Sequence, residues 1–176
     1  PRRTSSAASD VYKRQLLTLP EVQLKKIATY LDSGKPIIAL RTANHGFRGR
    51  IAYSIKGKNI NFGRDILGGS FMGHHGGWHR EATRGTIVKE LAGHPIVSGV
   101  QDIWGPSDVY RTYKEGTTLP EDCTTLVWGQ PLTGLSPKDE TNIKKEALPV
   151  AWFKTWSTSM GTKARVFNTT LGRARD

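Results

Sequence analysis

Apolar residues recur at Leu24, Ile27, Ala28 and Leu31, the i, i+3, i+4, i+7 spacing of one helix face. The spacing predicts an amphipathic helix. Thr18 and Glu21 stand as a T-x-x-E capping box in front of it, with Pro20 in the first turn. Gly34 and Pro36 end it. Ile37 to Leu40 then form an unbroken apolar run, which reads as a short strand covered on both faces. Helix, tight loop and buried strand make half of an α/β unit.

Downstream the pattern is more broken. Residues 48–62 are polar and contain Gly and Lys, as in a loop or irregular insertion. Asp65 to Leu67 suggest a helical turn, and Gly68 to His79 a loop rich in Gly and His. Thr86 to Val88 read as a short strand, His94 to Val100 as a turn with a short helix, and Thr124 to Gly129 as a strand. Ser136 to Glu146 form a charged loop. Leu148 to Trp156 and Ala164 to Gly172 are strand-like runs around a Ser/Gly/Lys turn, which predicts a hairpin. No internal repeat is visible. The chain lacks the opening strand and closing helix of a doubly wound domain, so a domain clipped at both ends is expected.

Composition changes this picture little. The 176 residues suffice for one domain with a core, and no apolar run reaches membrane-span length. The net charge of +11 first suggests nucleic acid. However, Ser5 to Gln15, "SSAASDVYKRQ", resemble the in-frame translation of a sequencing adapter, so residues 1–15 are set aside. Arg2, Arg3, Lys13 and Arg14 against Asp10 account for +3 and leave +8, spread without a long run. A solvated basic surface is the simpler reading, and neither a nucleic-acid nor a membrane partner is expected. The single cysteine, Cys123, excludes an internal disulfide framework and leaves the compartment open.

Candidate chemistry collects at four places. Arg41, Thr42, Asn44 and His45 follow the first strand, and ligands of open α/β sheets sit at strand carboxyl ends. Arg41 could hold hydroxyl or acidic oxygens, or pair with a carboxylate of the chain; His45 could transfer protons near neutral pH, or cap a loop. His74, His75 and His79 could bind a metal together with Asp65 or Asp108, line a ligand site without metal, or be solvated. Trp104, Asp108 and Tyr110 set an aromatic beside hydrogen-bonding groups, as a sugar site needs, or else form a packed turn. Cys123 has no positioned histidine nearby in sequence and reads as an inert thiol. No phosphate-binding loop, nucleophile elbow or zincin helix occurs, and no cofactor is expected.

These segments together resemble the ThuA-like (trehalose utilisation) family of the class I glutamine amidotransferase-like superfamily. The resemblance rests on "LLTLPEVQLKKIATYLDSGKPIIALRTANHGF", "FGRDILGGSFMGHHGG", "HPIVSG", "SDVY", "PVAW" and "RVFNTTLG", in that order over residues 16–176. It implies an α/β flavodoxin-like three-layer sandwich with a mainly parallel sheet. The versions it most resembles are bacterial, cytoplasmic or exported. The superfamily's nucleophilic cysteine would stand where this chain carries Arg41, which argues against glutaminase activity. The family implies instead a carbohydrate pocket built from the strand-end His, the GG-x-F-x-x-H loop and the D-x-Y turn. Here those are His45, His74 or His75, and Asp108 with Tyr110. The implied chemistry is acid/base work by His45 and His75, with Asp108 as a positioning group and Arg41, Thr42, Asn44, His74, Trp104 and Tyr110 binding a sugar or oxidised sugar. A non-catalytic sugar-binding module and a metal-dependent hydrolase are the alternatives. Many relatives end the last strand in Leu-Gly-His, where this chain has Leu171, Gly172 and Arg173.

Overall fold

The computed structural model describes residues 16–47, 51, 53–112 and 119–172. The adapter-like segment and Arg173 lie outside them. The predicted helix is present as α1 (Glu21–Asp32), with Leu31 buried. The capping box does not form: Pro20 is the N-cap residue and no side chain caps the first turn. The Pro20 carbonyl instead accepts from the N–H groups of Gln23 and Leu24.

The sheet departs from expectation. Its strands are β1 (Ile37–Ala39), β5 (Thr83–Ile87), β6 (Ile103–Gly105), β8 (Cys123–Pro131), β9 (Leu148–Ser157) and β10 (Lys163–Thr169). They stand in the order β1-β10-β9-β8-β5-β6. Only β1 and β10 run parallel; every other pair in this sheet is antiparallel. The sheet curls into a half-barrel, and strand outweighs helix at 33% against 18%. A flavodoxin-like sandwich with a mainly parallel sheet is therefore incorrect. Parallel neighbours need crossover helices, whereas β9 and β10 are joined by the short hairpin turn that the sequence did predict. Two small ladders complete the fold: β2 (Ser54–Ile55) with β3 (Lys58–Asn59), and β4 (Gly73–His74) with β7 (Tyr110–Arg111). The first lies inside the stretch read as a loop.

β1 is also not covered on both faces. Ala39 is buried, but Ile38 is 74% and Leu40 61% exposed. Two apolar clusters form the core. Along β10, Ala164 and Val166 enter the cluster under α1, while Phe167 packs against the other, around Leu126 and Val150. That is the two-residue period of a strand with both faces engaged. Trp152 is fully buried, and its Nε1 donates to the Leu67 carbonyl at 2.7 Å. The next residue, Gly68, takes φ +88°, and a Cβ there would stand 2.5 Å from the Cys123 sulfur. This corner launches the loop that carries the histidines. Among the described residues no helix is long and apolar enough to cross a membrane.

Candidate functional site

Beyond β1 the chain turns sharply. Thr42 adopts φ +80°, a left-handed conformation that costs a β-branched residue of order 1–2 kcal/mol. A short 3-10 turn, Ala43–His45, follows, closed by the His45 N–H on the Thr42 carbonyl at 3.0 Å. The strained turn aims His45 back over the sheet end instead of continuing along β1. Strain of this kind persists where surrounding structure imposes it.

Arg41 is committed within the protein. Its Nη1 donates to the carbonyls of Asp108 and Thr170, both at 2.8 Å, and its Nη2 to Asp108 Oδ1 at 3.0 Å. The guanidinium lies 3.8 Å from the Tyr110 ring centroid. Asp108 is 3% exposed, and its other oxygen, Oδ2, lies 2.6 Å from His74 Nδ1. A carboxylate only accepts, so Nδ1 carries the proton of this bond and Nε2 is left for a ligand. Arg41, Asp108 and His74 thus form one chain of charge-assisted bonds. Burial raises the Tyr110 phenol above its usual range.

The β4–β7 ladder explains which histidine joins this chain. His74 pairs with Tyr110, and Asp108 lies two residues before Tyr110, so all three point to one side. His75 and Arg111 fall on the other side. His75 Nε2 lies 2.8 Å from the Glu146 carbonyl, and Arg111 Nη2 lies 3.3 Å from His75 Nδ1. Together with Ile143, Lys144 and Lys145 they line a separate shallow groove. His75, in the bend just past β4, is turned away towards Glu146 and Arg111, so His74 stands where a partner for His45 was expected from His75.

Arg41, Thr42, His45, His74, Asp108 and Tyr110 line one cleft of ≈ 840 Å³. His45 packs on Phe71, with ring centroids 4.4 Å apart, and meets the Tyr110 ring edge-on at 5.7 Å. Burial first, then the charges of Arg41 and His74, push its imidazole down to about 4. It is therefore neutral at physiological pH. Its Nδ1 has no hydrogen-bond partner among the described residues. Two other expected residues sit elsewhere. Asn44 is buried and clamps the histidine loop by donating Nδ2 to the Gly69 carbonyl at 2.7 Å. Trp104 lies on β6 opposite Arg84, away from the cleft lining. Trp78 takes the aromatic position instead: it is 63% exposed, lines the cleft and stands 5.7 Å from His74, ring to ring. Its setting, "GGWH", offered the only signal for it: an aromatic among glycines in a polar loop. The Glu81 carboxylate steadies that loop, accepting from the Gly77 N–H at 2.7 Å and from Lys145 Nζ at 2.8 and 2.9 Å.

Cys123 does not line the cleft, and burial pushes its thiol up to about 12. Asp65 is held by Arg64 and the Asn61 N–H. Among the described residues no three His, Cys, Asp or Glu side chains are grouped to hold a metal ion.

Neutral His45 gives a stability signature. Its native pKa lies below the unfolded value, so between about 6.5 and 4 the unfolded chain binds the extra proton. Stability is lost as pH falls through that window. The shift corresponds to about 3 kcal/mol, reduced to about 2 for a partly hydrated ring. Urea unfolding at pH 7 and pH 4 should show the wild type losing about 2 kcal/mol more than His45→Asn. Equal losses would contradict a buried neutral imidazole.

Comparison of the chain with protein-family models, curated proteins and solved structures returned no match.

Proposed function

We propose that the cleft binds a sugar or oxidised sugar and that His74, oriented by Asp108, moves a proton on it. The observation that carries this reading is the placement of an exposed Trp78 beside the Asp108–His74 pair and neutral His45 in one cleft. A sugar ring has C–H faces that stack on an aromatic and hydroxyl edges that need donors and acceptors. Trp78 offers the first, while His74 and His45 offer the second. The three segments from which the ThuA-like resemblance implied a pocket each contribute to this cleft, through His45, His74, and Asp108 with Tyr110.

His74 Nε2 serves as the proton acceptor, and Asp108 holds the ring in the tautomer that frees it. Arg41 fixes Asp108, so it acts as a positioning residue with no contact to substrate. His45, being neutral, donates or accepts a hydrogen bond at a carbonyl or hydroxyl without competing for the proton. One base and one neutral polarising group about a carbonyl suit enolisation, the isomerase form of this chemistry; hydrolysis would use the same base on water. Glutamine hydrolysis through Cys123 is disfavoured, since a thiol at about 12 is not a thiolate at neutral pH.

Calorimetric titration with sugars and keto-sugars, followed by a turnover assay on those that bind, tests this. Trp78→Ala should weaken binding about tenfold, as expected for an aromatic platform. His74→Gln should leave affinity within a few-fold and lower turnover by about 10²–10⁴. Binding without any turnover would reduce the protein to a sugar-binding module. No binding of any sugar would overturn the proposal.

A further inference from the structure

The cleft is longer and more apolar than a sugar ring requires. Its ≈ 840 Å³ lies towards the upper end of the roughly 300–1,000 Å³ typical of small-molecule sites. Its lining includes Ile38 of β1 and Leu40 just past the strand, 74% and 61% exposed, together with Leu16. Single exposed apolar side chains are ordinary, but these converge on one cleft, and such a patch marks a binding surface. The other end is polar. Ser107 lines it and is 3% exposed, and its hydroxyl, like His45 Nδ1, has no partner among the described residues. Buried groups left in that state are uncommon and call for a partner.

Fixed charge in the cleft is balanced. Apart from its imidazoles, only Arg41 and Asp108 among the described lining residues carry one, and they pair with each other. Among the described lining residues, a phosphate or carboxylate entering here would shed its hydration without an unpaired Lys or Arg to meet it.

We propose that the ligand is a neutral glycoside with an apolar aglycone, its sugar held between Trp78, His74 and Ser107 and its aglycone laid along Ile38 and Leu40. This rests on the sugar reading above and adds the second half of the ligand.

The test is calorimetric titration of the full chain with methyl and hexyl pyranosides of glucose, galactose and mannose below their micellar concentrations, with hexanol and glucose 6-phosphate alongside. The hexyl glycoside should bind at least about tenfold tighter than the methyl glycoside of the same sugar, because its extra methylenes leave water. Ile38→Thr combined with Leu40→Ser should erase that difference. Both positions are exposed, so the fold should survive, as an unchanged urea midpoint would verify. Equal affinity for methyl and hexyl forms, or a difference that the double substitution leaves intact, would overturn the aglycone proposal while the sugar reading stands. Hexanol binding as tightly as the hexyl glycosides, or no binding of any glycoside, would overturn both. Tighter binding of glucose 6-phosphate than of methyl glucoside would overturn the neutrality of the ligand.

Discussion

Asp108→Ala should lower the unfolding free energy by about 3–5 kcal/mol, the cost of leaving a buried charge without its partner. Asp108 is 3% exposed, and the Arg41 side chain only 12%. Removing the carboxylate strands the guanidinium and frees the His74 ring together. The two carbonyls and the Tyr110 ring that also hold Arg41 keep the loss near the lower figure. Arg41→Met on top of Asp108→Ala should recover part of it, because the double variant leaves no orphaned charge. Urea unfolding of the two single variants and the double variant measures this. A loss below about 1 kcal/mol for Asp108→Ala, or strict additivity in the cycle, would show that the pair is not coupled as drawn.

Trp152→Ala should cost about 3–5 kcal/mol, the range for deleting a large aromatic from a packed core. Trp152 is fully buried, and its loss leaves both a cavity and an unpaired Leu67 carbonyl. Trp152→Phe keeps most of the volume and loses only the indole donor, so about 1–2 kcal/mol is expected for it. The effect should also reach the cleft. Trp152 pins the corner at Leu67 and Gly68, and six residues later the same loop presents His74 to Asp108. Amide hydrogen exchange across residues 68–75 should rise in Trp152→Ala well before global unfolding. Unchanged exchange there would mean that the corner and the histidine loop are independent.

The elements with a clean local period were legible in the sequence. α1 shows its apolar stripe, and β8, β9 and β10 are long enough to stand out. The arrangement of those elements was not legible. Ile37 to Leu40 look like a strand buried on both faces, yet a run of four apolar residues cannot say whether both faces are covered. Two of its side chains form the wall of a cleft. A cue against a parallel sheet was present in β10. Its residues from Lys163 to Val166 alternate polar with apolar, the habit of antiparallel strands. β5 was half missed because Gly85 interrupts "TRGTI". The glycine is required there: a Cβ would meet Ile103 at 2.5 Å and Val127 at 3.0 Å.

The site was legible in type more than in pairing. Arg41, His45, His74, Asp108 and Tyr110 do meet, although Arg41 holds a carboxylate of the chain. Asp108 and Tyr110 could be grouped from the two-residue period of a strand. The choice between His74 and His75 needed the register of a ladder only two residues long, which no local pattern encodes. Trp104 and Trp78 are both tryptophans near polar groups, and only tertiary placement separates them.

That two-residue ladder has a further consequence. Slippage by one residue exchanges the faces of a strand and ordinarily empties whatever site depends on it. Here a slip in one direction would bring His75 into place beside Asp108, and a slip in the other would bring Gly73. Repeating the imidazole at His74 and His75 should therefore make the site tolerant of a slip in the first direction. A short strand re-formed one step out of frame in that direction would still bring an imidazole to Asp108, a redundancy that replacing His75 alone would remove.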